Sequence, residues 1–230
     1  MRGLYAIVDV DTLGAHRMDP VAFAEAVLVA GPTVLQLRAK DLPPREALAL
    51  LRELAPRCRR AGVPLVANDR PDLAILSGCD LVHVGQTDMP IDRVRRLAPG
   101  LGVGVSTHNL EQLDAALAAR PSYIALGPVF DTMTKKNPDP VVDAGVLRSA
   151  HARCLAAGVP LVAIGGITRE RARDLVPHVE AVAVIAALLP PYAPTPADVS
   201  RAELLRDVTA RARAIQELFA VVAPPLQANP

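Results

Sequence analysis

Eight short apolar runs recur along the chain, each followed by a stretch of helical character, and this cadence restricts the fold more than any single motif. The runs occupy residues 4–9, 34–38, 65–68, 81–84, 102–106, 123–126, 161–164 and 181–185. They are apolar at consecutive rather than alternate positions, which is how strands buried on both faces of a parallel sheet read. Amphipathic stretches lie between them; over residues 44–61, Leu48, Leu51, Leu54 and Ala55 recur at helical spacing. Two helix-to-strand junctions share the sequence Gly-Val-Pro-Leu-Val, at 62–66 and 158–162. Glycine suits the left-handed residue that closes a helix, proline stops the helix from continuing, and the repeat hints at a duplicated βα unit. Eight βα units in roughly 220 residues predict a (β/α)8 barrel, a single domain over residues 1–222. A doubly wound open sheet would carry fewer strands and a glycine-rich first turn, and the turn at 9–14 has no such fingerprint. The proline-rich residues 223–230 are expected to form a tail outside the barrel.

With 51% hydrophobic residues over 230 positions there is apolar material for a full core. Lys plus Arg (25) nearly balances Asp plus Glu (24), and no basic block is present, which argues against nucleic acid as a partner. Cys58, Cys79 and Cys154 are far apart and match no ligand spacing, so they read as small buried residues in a reducing compartment. The first apolar run is broken by Asp9 and Asp11 and is too short for a secretion signal. The longest run, 181–189, has about half the length that spans a bilayer. A soluble, cytoplasmic protein with no membrane partner is expected, and a homo-oligomer is left open.

In a barrel the residues just after each strand form the active face. Strand 2 supplies Gln36, Arg38 and Lys40, which alternation points the same way. Strand 3 supplies Asn68 and Asp69, strand 4 Gln86 and Asp88, and strand 5 Ser106. Strand 6 opens a long loop with Thr132, Thr134, Lys135 and Lys136; strand 7 ends at Gly165-Gly166, and strand 8 runs into Ile185 and Ala186. Neighbouring parallel strands sit roughly 5 Å apart, so Asp69 and Asp88 can aim at one point. Converging carboxylates suit a hard cation or an acid/base pair. Asp69 alone reads equally well as a helix cap ahead of Pro71, and His83, inside an apolar strand, as a hydrogen-bonded core histidine. His16, His151 and His178 read as surface residues and His108 as a loop or cap residue. The Gly-Gly turn and the small residues after strand 8 resemble a phosphate cradle, and Arg38, Lys40, Lys135 and Lys136 supply charge for a second anion. Two carboxylates beside that anion suit Mg2+. Unaided, these residues suggest a Mg2+-dependent enzyme acting on a diphosphate and a phosphomonoester.

Six pieces in this order carry a family resemblance: Gln36-Leu-Arg-Ala-Lys40, Ala67-Asn-Asp69, His83-Val-Gly-Gln-Thr-Asp88, Gly104-Val-Ser-Thr-His108, Gly127-Pro-Val-Phe130 with Thr132-Met-Thr-Lys135, and Ala163-Ile-Gly-Gly-Ile167. The chain resembles the thiamine-phosphate synthases, which are (β/α)8 enzymes. The resemblance implies joining of hydroxymethylpyrimidine diphosphate to a thiazole phosphate, with release of diphosphate, through a dissociative step. It implies Asp69 and Asp88 as Mg2+ ligands. It implies Gln36, Arg38, Lys40, Asn68, Ser106 and Lys135 at the pyrimidine diphosphate, with Arg38, Lys40, Ser106 and Lys135 acting on the chemistry. Thr132, Thr134, Gly166, Ile185 and Ala186 would hold the thiazole phosphate. Two departures are Ala39, where the family usually has Glu, and Ala186, where it often has Ser. A thiazole tautomerase on the same barrel would lack the acid at Asp69 and carry histidine in place of Pro128. A non-catalytic phosphate-binding barrel would not need the acid pair.

Overall fold

The computed structural model describes residues 1–132, 139–191 and 200–220. Eight strands follow one another: β1 Gly3–Asp9, β2 Val34–Arg38, β3 Leu65–Asn68, β4 Leu81–Val84, β5 Gly102–Thr107, β6 Tyr123–Leu126, β7 Leu161–Ile164 and β8 Ala181–Val184. All pair in parallel in chain order, and β8 returns to β1 with Gly3 opposite Ala181 and Leu4 opposite Val182, closing the barrel. The outer ring is α1 Val10–Ala15, α2 Pro20–Leu28, α3 Pro44–Ala61, α4 Pro71–Ser77, α5 Ile91–Leu97, α6 Leu110–Ala118, α7 Ala144–Ala157, α8 Arg169–Leu175 and α9 Arg201–Ala220. The predicted strands agree to within a residue at each end. β8 stops at Val184 because Ile185 starts a short 3-10 turn, Ala186–Leu188. The expected tail, 223–230, lies outside the described residues.

Because neither face of a barrel strand meets water, the strands bury two sets of side chains. Leu35, Leu37, Ala67, Val82, Val84 and their counterparts face the helices and form the larger core. The alternate residues Tyr5, Ile7, Val34, Val66, Tyr123, Ala125, Val162, Ala181 and Ala183 fill the interior. The interior pairs large with small: a Cβ on Gly104 would lie 2.0 Å from the Tyr123 ring, so glycine on β5 makes room for that tyrosine. The last helix fastens the closure, since Gln216 accepts the N–H of Leu4 at 2.7 Å and Thr209 donates to the Ala26 carbonyl at 2.9 Å.

The repeated Gly-Val-Pro-Leu-Val junctions are equivalent in three dimensions. Gly62 and Gly158 both close their helices in the left-handed region, with φ of 67° and 66°. The strand that follows starts each time with its first N–H held by an acid from the next unit: Leu65 by Asp80 at 2.8 Å and Leu161 by Glu180 at 2.7 Å. The two junctions lead into β3 and β7, on opposite sides of the barrel. Cys58, Cys79 and Cys154 are free thiols; Cys58 and Cys154 are buried, as expected, whereas Cys79 is half-buried. Among the described residues, no helix is long and apolar enough to cross a membrane.

Candidate active site

At the C-terminal edge, the inward alternation of β2 carries Gln36 and Arg38 to the mouth, and Lys40 continues the same line. Gln36 is buried and donates through Nε2 to Asn68 Oδ1 at 2.7 Å. Arg38 forms an ion pair with Asp9, the last residue of β1, whose side chain is 2% exposed. Asp9 also accepts from the N–H of Thr12 at 2.9 Å and so caps α1. Lys40 Nζ lies 3.2 Å from Asp69 Oδ2. Asp69 takes a left-handed backbone (φ 62°), uncommon for a residue other than glycine. The turn aims its carboxyl across the mouth instead of into α4; the cap of that helix is Arg70, with no side-chain hydrogen bond. The helix-cap reading of Asp69 is therefore set aside.

Burial first, and then the neighbouring Asp88, hold the Asp69 carboxyl above the usual range, while Lys40 pulls it down. Asp88 is anchored by the Gly85 N–H, which donates to its Oδ2 at 2.7 Å. Asp88 is thus near enough to Asp69 to act on its carboxyl. Gln86 turns to the Ser106 carbonyl, donating at 2.6 Å. Ser106 Oγ lies 2.8 Å from His83 Nε2, and His83, 8% exposed, is the hydrogen-bonded core histidine its surroundings imply. His108 holds the Gly127 carbonyl through Nδ1 at 2.6 Å.

The opposite rim is built by two loops pressed together. Gly165 and Gly166 have φ of 104° and 62°, and a Cβ on them would meet Pro128 at 2.5 Å and the Asp131 carbonyl at 2.2 Å. Both glycines are thus required by backbone conformation and by close approach. Arg171 of α8 closes the join: it donates to the Gly166 carbonyl at 2.7 Å and lies over the Phe130 ring, 4.8 Å from its centroid. Ile185 packs on the interior cluster, and Ala186 is exposed where the 3-10 turn begins. Thr132 is half-buried. Thr134, Lys135 and Lys136 lie outside the described residues. Ala39 faces away from Arg38, as alternation requires, into a cavity of about 190 Å³ lined by Leu42, Ala47, Leu51 and Asp69.

Asp9, Tyr5 and Tyr123 escaped the reading of the sequence, as did Arg171. Asp9 carried a usable signal, a lone acid at the tip of β1. The tyrosines look like ordinary core aromatics in sequence, and only the interior shows their hydroxyls bonded to each other at 2.7 Å.

Residues 4–188 match the family described as thiamine monophosphate synthase. The chain belongs to that family. It is 45% identical over 190 residues to the thiamine-phosphate synthase of Koribacter versatilis (strain Ellin345), covering 81% of this chain and 88% of the relative. It is 39% identical over 201 residues to that of Chloroflexus aurantiacus (strain ATCC 29366 / DSM 635 / J-10-fl), covering 87% and 85%. The solved thiamine phosphate pyrophosphorylase from Pyrococcus furiosus superposes with a TM-score of 0.78 at 26% identity, covering 95% of this chain and 96% of that one. As a member of the thiamine monophosphate synthase family the chain is an enzyme of thiamine biosynthesis.

For this family member the mouth divides chemically. Lys40, Asp69 and Asp88, with Arg38 and Ser106 beside them, make a charged half; the Gly165-Gly166 turn and the start of the 3-10 turn offer backbone groups in the other. Among the described residues no three His, Cys, Asp or Glu side chains converge as a complete metal cage. Two carboxylates are what Mg2+ uses when substrate phosphates and water complete its shell. The charge that burial and Asp88 leave poorly stabilised on Asp69 is what a divalent cation would neutralise. The residues present fit the ion.

Proposed function

We propose that the enzyme condenses 4-amino-2-methyl-5-hydroxymethylpyrimidine diphosphate with 4-methyl-5-(2-phosphoethyl)thiazole, giving thiamine phosphate and diphosphate. The observation that carries this reading is the meeting of Asp69, Asp88 and Lys40 at one side of a mouth whose other side is a doubly glycine turn. Such a site suits one substrate with a diphosphate and a second with a single phosphate.

Asp69 and Asp88 would hold Mg2+, which when bound would supply positive charge to the diphosphate. Arg38 and Lys40 add fixed positive charge as the C–O bond breaks and negative charge gathers on the leaving group; Lys135 has the same role in this reading. Preorganised charge aimed at the place where charge develops is the largest catalytic term in such sites. Gln36, Asn68 and Ser106 orient the pyrimidine, so that its methylene carbon faces the thiazole nitrogen that forms the new C–N bond. Thr132, Thr134 and the N–H groups around Gly166, Ile185 and Ala186 hold the thiazole phosphate. No activated serine or cysteine is required, and a cytoplasmic setting follows from the substrates' charge.

The direct test supplies the two purified substrates with and without Mg2+ and assays thiamine phosphate. Product is expected only with the metal; its absence in the presence of Mg2+ would sink the assignment. The phosphate half has its own prediction. Gly166→Ala must displace the Asp131 carbonyl and adopt a strained φ, so the rim loosens. The expected result is a KM for the thiazole phosphate raised by roughly tenfold, about 1.4 kcal/mol, with the KM for the pyrimidine diphosphate within about twofold. Equal rises in both would show that the turn does not belong to one substrate.

A further inference from the structure

The barrel interior holds a continuous chain of polar side chains, of which the proposed chemistry uses only the part nearest the mouth. From Asn68 it passes to Gln36, whose Nε2 donates to Asn68 Oδ1 at 2.7 Å, and to Tyr5, whose hydroxyl donates to Gln36 Oε1 at 2.9 Å. The Tyr5 and Tyr123 hydroxyls are 2.7 Å apart, the Tyr123 hydroxyl lies 2.9 Å from His83 Nδ1, and His83 Nε2 lies 2.8 Å from Ser106 Oγ. Tyr5, Gln36, Tyr123 and His83 are all buried. The rings are fixed as well: Tyr123 meets Tyr5 edge-on at 5.5 Å and stacks on His83 at 5.6 Å.

With the Gln36 and Asn68 amides oriented as above and His83 neutral, hydrogen counting fixes the direction of every bond. Each phenol has one hydrogen, and burial holds both well above the ordinary tyrosine range, so both keep it. Tyr5 commits its hydrogen to Gln36, so Tyr123 must donate to Tyr5. Tyr123 then offers His83 only lone pairs, so Nδ1 of His83 carries a hydrogen. A neutral imidazole with Nδ1–H has Nε2 as an acceptor, and the Ser106 hydrogen points to it. Donation therefore runs one way, from Ser106 through His83, Tyr123, Tyr5 and Gln36 to Asn68. For a neutral His83 the only other self-consistent state reverses every bond at once, including both amides; a doubly protonated His83 would instead donate to both Tyr123 and Ser106. At the mouth, Ser106 is left with lone pairs and Asn68 with amide N–H groups.

We propose that Tyr5, Tyr123 and His83 are positioning residues that set this donor–acceptor sense, so that the site selects a nitrogen heteroaromatic ring with an exocyclic amino donor for Ser106 and a ring-nitrogen acceptor for Asn68, against the corresponding oxo ring. The substrate part of this inference rests on the function proposed above; the hydrogen-bond direction does not. A site built around one pattern of donors and acceptors rejects the mismatched ring because buried polar groups are left unpaired.

The test reads His83 directly. Long-range proton–nitrogen spectra of 15N-histidine protein, with the His83 signals assigned by their loss in His83→Gln, are expected to show a protonated Nδ1 and an unprotonated Nε2. In Tyr123→Phe the acceptor for Nδ1 is gone while the ring and its packing stay, and the His83 signals are expected to move toward the Nε2–H form. In the same variant, kcat/KM for the aminopyrimidine diphosphate should fall by roughly 10- to 100-fold, and its preference over the oxopyrimidine diphosphate by a similar factor, with the thiazole phosphate KM within about twofold. Tyr5→Phe, one link further away, should move the same readouts in the same direction. A purely structural tyrosine would lower all parameters together and leave the preference alone. The proposal is overturned by a wild-type His83 that is Nε2–H or doubly protonated, or by an unchanged His83 spectrum or preference in Tyr123→Phe. If no thiamine phosphate is formed at all, the spectra still decide the direction of the chain, and only the substrate reading falls.

Discussion

Asp69→Asn is expected to lower the coupling rate on the order of 1000-fold, the scale of an essential electrostatic group, while the protein unfolds no more easily than before. Asparagine tolerates the left-handed backbone that Asp69 occupies at φ 62°, so the turn survives. The variant gives up one metal-binding carboxylate and a partly exposed ion pair with Lys40, which contributes little to stability. In exchange it removes a charge disfavoured by burial and by Asp88, despite the pull of Lys40. A carboxyl whose folded pKa is raised costs stability when ionised; the cost is complete above that raised pKa and fades as pH falls through it toward the unfolded value. The stability gain of Asp69→Asn should accordingly be present at neutral pH and disappear in acid. Steady-state coupling assays and thermal unfolding at two pH values check both halves. Near-native coupling would remove Asp69 from the metal site, and marked destabilisation would make it a structural residue.

Arg38→Met should combine a comparable loss of activity with a large loss of stability. It strands the Asp9 carboxylate, 2% exposed, with only Thr12, among the described residues, as a partner at its other oxygen. Breaking a buried pair by removing one partner costs about 3–5 kcal/mol. For a domain of this size that lowers the melting temperature by roughly 6–20 °C. Asp9→Asn combined with Arg38→Met removes both charges and should recover most of the stability, with coupling still down by at least about 100-fold, because no guanidinium remains for the diphosphate. Denaturant melts of the two single variants and the double form the thermodynamic cycle. A loss in the double variant equal to the sum of the two single losses would mean that the pair is not coupled.

Several residues show how far the chain could be read before its fold was known. The eight strands were legible because burial on both faces imposes unbroken apolar runs. Gln36, Asn68, Asp69, Asp88 and Ser106 stood out because a polar residue ending such a run has few structural reasons to be there. Gly165 and Gly166 were visible only as a weak turn signal, and their necessity comes from Pro128 and Asp131 of another loop. The helix-cap reading of Asp69 failed because sequence spacing does not reveal the left-handed turn that takes its carboxyl away from α4. Arg38 pointed to an anion, whereas its first partner is Asp9, 29 positions earlier.

Sequence alone determined the parallel barrel and most of the polar side chains that gather at the C-terminal ends of its strands, because hydrophobic period and the polarity of strand ends are local properties. Tertiary structure alone decided who meets whom. Tyr5 and Tyr123 are 118 positions apart, and they touch only because closure brings β1 and β6 around one interior. Their hydroxyls then fix, hydrogen by hydrogen, what Ser106 and Asn68 present at the mouth. No periodicity encodes that direction, since it depends on a hydrogen-bond chain contributed by six strands.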